Sequence, residues 1–286
     1  MTPGSAAFDA GPNGAQVGYW NGPGGADWSV TRERLDKMLE PFDRLLFEAA
    51  DLSAGHSVLD IGCGCGTTSL VAAEKVGKSG RVVGVDVSSP MLEVARGRVR
   101  SDQSVTFVEA DAQTTDFASL RADRIISRFG VMFFANTTAA FANIASAGSR
   151  GATLSFVCWQ EPKRNPWFAF AGRAVAEFVE LPRGGRGGPG PFALADHVAI
   201  AQAVIGAGMS DLEITEHEVA VDFGGGGSVD ELVEFAMDFG PIGRAVAGDD
   251  RLAQRAREAL SEAIAERWND GHVELDSAVW LVRAAV

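Results

Sequence analysis

Apolar and polar positions change their spacing along this chain. Between residues 56 and 159, short apolar runs of strand length alternate with segments in which apolar residues recur every three or four positions. This alternation predicts βαβ units and an α/β fold with a parallel sheet. The strands are expected at 58–61, 80–86, 107–112, 124–127 and 152–159, and the helices between them at 67–76, from 88 or 89 to 100, and at 137–147.

The segments that flank this core have less regular patterns. Residues 1–25 are rich in glycine, proline and asparagine and are expected to be mainly loop. A helical pattern follows, with Asp27 or Ser29 as its cap, and Pro41 inside it predicts two helices or one kinked helix. The pattern after residue 161 predicts helices at about 167–179, 196–205 and 250–268, and strands ending at 222 and spanning 274–284.

Two local signals stand out in the C-terminal part. Ser228 and Glu231 form the S-x-x-E pattern of a helix capping box. The stretch P-R-G-G-R-G-G-P-G-P at 182–191 offers no residues for a core. Two interpretations of it remain open: a mobile flap whose Arg183 and Arg186 contact an anionic substrate, or a long loop with solvated arginines.

The candidate chemistry begins in the run S-V-L-D-I-G-C-G-C-G-T-T-S at 57–69, which predicts a strand, a glycine turn and a helix N-terminus. Such a turn lies at the carboxyl end of a strand, where ligands of open α/β sheets bind. Glycines let a ligand approach the backbone, and the helix N-terminus favours an anionic group. A dinucleotide fingerprint needs glycine at position 67, where Thr67 stands.

Two acids follow at the expected distances. Asp86 ends the run G-R-V-V-G-V-D, about twenty residues after the last glycine of the turn, where a ribose diol needs a carboxylate acceptor. Asp111 and Ala112 end the next strand.

Taken together, V-L-D-I-G-C-G-C-G and V-V-G-V-D-V-S resemble the class I S-adenosylmethionine-dependent methyltransferases, over residues 58–159. The resemblance implies a Rossmann-like, mostly parallel sheet of seven strands with helices on both faces and an antiparallel last strand. It also implies S-adenosylmethionine as the cofactor. The implied cofactor-binding residues are Asp60 at the methionine amino group, Gly62, Gly64 and Gly66 along the methionine part, Asp86 at the ribose, Val87, Met91, Asp111 and Ala112 at the adenine, and Ser127 and Arg128 at the methionine end.

The resemblance further implies a helical N-terminal cap (1–50), a cofactor-binding core (51–160) and a C-terminal part (161–286) that completes the sheet and carries lid insertions. The acceptor is expected to be a small organic molecule, and aromatic residues around the crevice favour an apolar or aromatic one, as in quinone and secondary-metabolite methyltransferases. The expected substrate and lid residues are Tyr19, Trp20, Trp28, Phe129, Phe133, Trp159, Trp167 and Phe192. His197 is the candidate general base for a hydroxyl or amine acceptor.

Composition and net charge limit which classes of binding partner are expected. The chain has 286 residues, 46% of them hydrophobic, and a formal net charge of −13. Nucleic acid is an unexpected partner for so acidic a chain. No apolar run approaches the roughly 18 to 20 residues of a membrane span, no export signal opens the chain, and the three cysteines suggest no disulfide framework or metal site. A cytoplasmic protein without a metal is expected, with a homodimer as one possible assembly.

Two other functions remain open. A nicotinamide-dependent reductase shares the strand, turn and ribose acid, but Pro23 stands where its Y-x-x-x-K motif would place lysine after Tyr19. A cofactor-binding regulatory or partner subunit without catalysis is the other alternative. Base-methylating enzymes are disfavoured because S-R-F-G stands where they carry N-P-P-Y.

Overall fold

The computed structural model describes residues 11–182 and 188–286. Its centre is a seven-stranded sheet in the order β3-β2-β1-β4-β5-β7-β6. Strands β1 to β5 are mutually parallel, and β7 runs antiparallel between β5 and β6. The predicted fold class is confirmed. The strands are β1 (Ser57–Ile61), β2 (Arg81–Asp86), β3 (Val105–Glu109), β4 (Ala122–Arg128), β5 (Gly148–Trp159), β6 (Ser210–Asp222) and β7 (Glu274–Ala285).

Helices lie between most of the strands in sequence, and further helices precede β1 and follow β6. They are α1 (Gly14–Trp20), α2 (Pro23–Val30), α3 (Arg32–Ala50), α4 (Thr67–Val76), α5 (Ser89–Gly97), α6 (Thr137–Ser146), α7 (Trp167–Val175), α8 (His197–Gly206), α9 (Val229–Asp238), α10 (Ile242–Val246) and α11 (Asp250–Ala265). No helix within residues 11–182 or 188–286 has both the length and the hydropathy needed to cross a membrane.

The central strands are buried on both faces, as their apolar runs require. Val58 and Leu59 of β1, with Ile125 and Ile126 of β4, are at most 1% exposed. Side chains of adjacent positions point to opposite faces of a strand, so burial of both members of a pair means that helices cover both sides. This rigid core fixes the positions of the strand ends, where the cavity described below opens.

The N-terminal segment 11–30, called the leader below, differs from its prediction as mainly loop. Residues 14–30 form α1 and α2, whereas residues 1–10 lie outside the described part. The glycines that suggested loop allow close packing instead. A Cβ atom on Gly25 would lie 2.0 Å from the carbonyl oxygen of Trp20, and one on Gly24 would lie 2.3 Å from the ring of Tyr19. Tertiary packing therefore overrides the low helix propensity of glycine here.

Helix α3 agrees with the prediction of one helix rather than two, but it begins at a different residue. It is a single helix of 19 residues that contains Pro41, and Thr31 precedes it rather than Asp27 or Ser29. Its buried face, which includes Phe42 and Leu46, packs onto the sheet core, and this burial offsets the hydrogen bond that proline removes.

In the C-terminal part, the capping box of Ser228 and Glu231 is confirmed by hydrogen bonds in both directions. Helix α7 ends at Val175, four residues earlier than predicted. Arg183 and Arg186 lie outside the described residues, so both interpretations of their stretch stay open.

Candidate active site

A cavity of about 520 Å³ opens at the carboxyl ends of the first five strands. Each of these strands contributes lining at or just after its end: Ile61, Asp86, Ala110, Arg128 and Trp159. The crevice therefore lies where the strand ends predicted it. Leader helices and the turn at 239–241 complete its walls.

The glycine turn after β1 is tightly packed. Gly62, Gly64 and Gly66 all have positive φ angles, between 53° and 84°, which disfavour any residue with a Cβ atom. A Cβ atom on Gly62 would lie 2.6 Å from Cα of Gly130. Gly62 and Gly64 line the cavity, whereas Gly66 packs beneath it against Phe107.

The amides of this turn are used mainly to fix its shape. The N–H groups of Gly62 and Cys63 both donate to the carbonyl oxygen of Val85, at 2.8 and 3.1 Å. The Gly64 N–H donates to Oδ2 of Asp86 at 2.8 Å. The turn is thus tied to the end of β2 and offers the cavity a preformed backbone surface.

Asp60 is fully buried beneath the turn and is not part of the cavity lining. Its Oδ2 accepts hydrogen bonds from Thr68 (2.7 Å) and Ser69 (2.6 Å), while its Oδ1 has no donor among the described residues. Burial raises the pKa of Asp60 to about 6, although these hydroxyl groups and Arg128 counteract the shift. A buried carboxylate oxygen without a donor is costly, and a cationic ligand or a water would satisfy it.

Asp86 is held by backbone groups on both of its oxygens. Oδ2 accepts from Gly64, and Oδ1 accepts from the Ser88 N–H at 2.8 Å. Burial raises the pKa of Asp86, and these backbone donors lower it in part. Each oxygen keeps acceptor capacity, since a carboxylate has about four lone-pair sites. Val87 and Met91 line the same end of the cavity.

Asp111 and Ala112 also lie in the lining, next to Ala110. Asp111 is only 4% exposed and accepts from the Gln113 N–H at 2.8 Å. It accepts two further contacts from the amide of Asn13 in the leader.

The two residues predicted to close the methionine end have different positions. Ser127 lies below the cavity, where its hydroxyl donates to the Ile61 carbonyl oxygen at 2.7 Å and so joins β4 to β1. Arg128 lines the cavity, but its Nη1 donates to both oxygens of Asp43 on α3, at 2.9 Å each. Ser127 is therefore a support for the strand ends, and Arg128 is committed to a buried ion pair.

An aromatic chamber forms the other end of the cavity. The rings of Phe129 and Trp159 are stacked, with centroids 4.0 Å apart and an interplanar angle of 4°. Trp167 and Phe168 of α7 pack against Trp159. Phe192 was expected in the lining, but it lies behind Phe168, edge to face at 4.8 Å.

The leader aromatics close this chamber from above. Trp20 contacts Phe133 edge to face, with centroids 5.2 Å apart, and Trp28 contacts Phe239 at 5.9 Å. Tyr19 lines the cavity too, and burial raises the pKa of its hydroxyl. The leader and the turn after α9 thus meet over the chamber.

His197 is not brought to the cavity. It begins α8, its side chain is 62% exposed, and its ring lies 5.4 Å from that of Trp280. Position alone therefore gives it no contact with a ligand in the chamber. Asp27, next to Trp28 on α2, also lines the cavity, and its Oδ2 accepts from Arg244 and from the Gly240 N–H.

The sequence of the central region matches a known family model. The model described as "Methyltransferase domain" matches residues 58–151, which contain the glycine turn and both acids after it. Residues 58–151 therefore carry a methyltransferase domain.

Curated relatives match the methyltransferase domain over part of their own length. The chain is 33% identical over 131 residues to aklanonic acid methyltransferase DauC of Streptomyces sp. (strain C5), covering 45% of this chain and 60% of that protein. It is 42% identical over 111 residues to methyltransferase GfsG of Streptomyces halstedii, covering 38% and 37% respectively. The chain therefore spans less than two thirds of the length of these relatives.

The fold extends beyond the matched domain. The YcgJ protein of Bacillus subtilis superposes on 86% of this chain and 98% of its own chain, with a TM-score of 0.53 and 17% identity. At that identity the likeness concerns the fold, and it includes the sheet that carries the methyltransferase domain.

Several residues that line the cavity were not predicted from the sequence. They are Asn13, Asp27, Asp36, Phe168 and Phe239. Phe168 adjoins the predicted Trp167, so the aromatic pair was a usable signal. The others lie in loop-like or ordinary helical contexts, and only the folded arrangement brings them to the cavity.

The residues present fit a cofactor that carries positive charge. Asp86 and Asp111 line one end of the cavity and Asp60 is buried beneath the adjoining glycine turn, while Arg128 in the lining is already paired with Asp43. The unpartnered Oδ1 of Asp60 and the glycine surface fit the same ligand. A zwitterionic sulfonium compound with a nucleoside matches this donor and acceptor set.

Proposed function

We propose that this chain transfers a methyl group from S-adenosylmethionine to a small organic acceptor with an apolar or aromatic surface. One observation carries the proposal: a single cavity joins the glycine turn and its acids to the chamber of Phe129 and Trp159. A methyl donor bound at the glycine turn and a methyl acceptor bound in the chamber would therefore be neighbours in one continuous cavity.

In this proposal Asp86 binds the ribose hydroxyls, with Val87 and Met91 against the adenine. Asp111 and Ala112 bind the adenine edge. Asp60 binds the methionine amino group directly or through water, consistent with its unpartnered oxygen. These roles are supported by the positions of the side chains and by the match of residues 58–151 to a methyltransferase domain.

When bound, S-adenosylmethionine supplies a methyl group that is already activated by its sulfonium charge. The chain's own residues then align the acceptor and exclude water. The stacked Phe129 and Trp159 form a rigid apolar wall, and Trp20 and Trp28 of the leader cover it. The N-terminal cap and C-terminal insertions, in this proposal, form the acceptor lid.

An apolar or aromatic acceptor is favoured by the walls of the chamber, where Trp159, Trp167 and Phe168 contact one another. The name of the relative DauC, an aklanonic acid methyltransferase, supports an organic small molecule. The net charge of −13 supports the same class over nucleic acid.

The test is titration calorimetry with S-adenosylmethionine, S-adenosylhomocysteine, NADH and NADPH. Wild type is compared with Asp86→Ala and with Asp123→Ala as a matched control. The Asp123 carboxylate also accepts a backbone hydrogen bond, from Ser57 at 2.9 Å, but it lies away from the cavity lining. We expect wild type and Asp123→Ala to bind both sulfur compounds, and Asp86→Ala to bind them at least tenfold more weakly.

Binding of a nicotinamide cofactor instead would favour the reductase and overturn the proposal. If the sulfur compounds bind, methyl-group transfer is measured with radiolabelled S-adenosylmethionine and a panel of phenols, quinols and aliphatic alcohols. Tight cofactor binding without transfer to any acceptor would favour a non-catalytic binding subunit.

A further inference from the structure

Asn13 of the leader makes direct contact with an acid of the cofactor end. Its side chain, in a residue only 5% exposed, lies just before α1. Its Nδ2 donates to Oδ1 and Oδ2 of Asp111, at 2.8 and 2.9 Å. Its Oδ1 accepts from the Ala135 N–H at 2.7 Å. One amide therefore joins the leader to the segments that follow β3 and β4.

These bonds determine how the Asp111 carboxylate is presented. The carboxylate has about four lone-pair sites. Asn13 uses two of them and the Gln113 N–H uses a third, so capacity remains for about one more donor. Because Asp111 is 4% exposed and lines the cavity, that remaining donor must come from a ligand or water there.

We propose that Asn13 is a positioning residue for the cofactor: it fixes the plane of the Asp111 carboxylate so that its remaining lone pair accepts the exocyclic amine of adenine. This inference rests on the proposed function. A hydrogen-bond acceptor that is already oriented in the free protein loses less conformational entropy when the ligand binds. Leader docking and adenine recognition are then coupled, and each stabilises the other.

A second asparagine in the leader supplies a matched control. The Nδ2 of Asn21 donates to the Val87 carbonyl oxygen at 2.8 Å, and its Oδ1 accepts from the Ser89 N–H at 2.9 Å. Asn21 thus joins the same leader to the turn after β2 but contacts only backbone groups. A variant at Asn21 weakens leader docking without touching an acid.

The experiment compares two ligands by calorimetry: S-adenosylhomocysteine and S-inosylhomocysteine, in which a carbonyl oxygen replaces the adenine amine. We expect Asn13→Ala to weaken S-adenosylhomocysteine binding about tenfold and to reduce the preference over S-inosylhomocysteine. Asn21→Ala should weaken both ligands by the same factor. Circular dichroism and thermal unfolding establish that each variant is folded.

A reversed pair separates adenine recognition from simple attachment of the leader. In N13D/D111N the side chain at 13 accepts and the side chain at 111 donates, so leader contact is kept. The spare N–H of the new amide at position 111 then matches a carbonyl oxygen, and we expect the preference to shift towards S-inosylhomocysteine.

Three results would overturn the inference. They are unchanged ligand preference in Asn13→Ala, tighter S-adenosylhomocysteine binding in that variant, and retained adenine preference in the reversed pair. If wild type bound no S-adenosylhomocysteine, the proposed function would fall as well. If wild type bound it and Asn13→Ala matched wild type, only the role of Asn13 would fall.

Discussion

Phe129 stacks on Trp159 at a centroid distance of 4.0 Å while its own backbone has a φ angle of +62°. Left-handed backbone is unfavourable for a residue with a Cβ atom, by about 1–2 kcal/mol. Phe129 directly follows β4, and its N–H donates to the Val157 carbonyl oxygen of β5 at 3.1 Å, which helps to hold this strained backbone in place. The aromatic wall of the cavity is therefore built on a strained residue.

This strain predicts an unusual order of stability. Phe129→Gly should be more stable than Phe129→Ala by about 1 kcal/mol, because glycine adopts positive φ without penalty. Both should be less stable than wild type, since Phe129 is only 6% exposed and either change removes its buried ring. Urea unfolding of the three proteins measures the order. A Phe129→Ala protein that is more stable than Phe129→Gly would contradict the strain.

Phe168 and Phe170 test where the acceptor binds. Both lie on α7, but Phe168 lines the cavity, whereas Phe170 packs against Phe223 outside it. We expect Phe168→Ala to raise the acceptor KM about tenfold, because the acceptor loses buried apolar contact. Phe170→Ala should leave KM within twofold. Equal effects of both on KM, or an altered S-adenosylhomocysteine affinity, would count against an acceptor site in this chamber.

The raised pKa of Asp60 predicts a pH dependence of cofactor binding. With a pKa of about 6, the free protein is mostly protonated at Asp60 at pH 5 and mostly ionised at pH 7.5. A bound ammonium group favours the ionised form, so binding at low pH must displace a proton. S-adenosylhomocysteine affinity should fall about tenfold from pH 7.5 to pH 5.

Calorimetry across this range, with Asp60→Asn as the control, measures that effect. The variant should bind S-adenosylhomocysteine weakly, and the slope of its log affinity against pH should be much smaller than that of wild type. Burial also raises the pKa of Asp86 and of Asp43, so a slope that remains in the variant reports groups other than Asp60. A wild-type slope equal to that of the variant would exclude Asp60 as the linked group.

The buried pair of Arg128 and Asp43 predicts a large effect on stability. Their side chains are 10% and 12% exposed, so Asp43→Ala leaves an uncompensated buried guanidinium. The expected loss is about 3–5 kcal/mol. The control is Glu234→Ala, which breaks the exposed pair with Arg257 and should cost less than about 1 kcal/mol. Urea unfolding of both variants gives the comparison, and similar losses would contradict it.

His197 provides a prediction with a small expected effect. Because its side chain is exposed beside Trp280 and outside the cavity lining, His197→Ala should change turnover by less than about twofold. Steady-state kinetics with an acceptor identified by the panel measures this. A loss of tenfold or more would restore His197 as the general base.

The glycine-turn end of the cavity was predicted largely from local signals. The helix over Thr67–Val76 begins and ends where the pattern placed it, and Asp86 ends β2 as predicted. Strand β3 ends at Glu109, so Asp111 lies two residues beyond the strand that it was predicted to end. Glycines in a turn and acids at strand ends are constrained by neighbouring residues, so a short window of sequence contains the information.

The aromatic chamber was predicted less well because its residues meet only through long-range packing. Trp28 and Phe239 are distant in sequence yet have centroids 5.9 Å apart. Phe192 and Phe168 differ in whether they line the cavity, and no periodicity distinguishes them. The leader helices likewise depend on contacts such as Gly25 with Trp20, which propensity cannot reveal.

The strand order also determines when the sheet can be completed during synthesis. In the part of the chain that the structure describes, β6 hydrogen-bonds only to β7, although β7 follows it in sequence by more than fifty residues. A chain growing from its N-terminus can assemble β1 to β5 first. Strand β6 must wait for residues 274–285, so a ribosome-bound chain that stops before Glu274 would have the glycine turn in place and β6 without a partner.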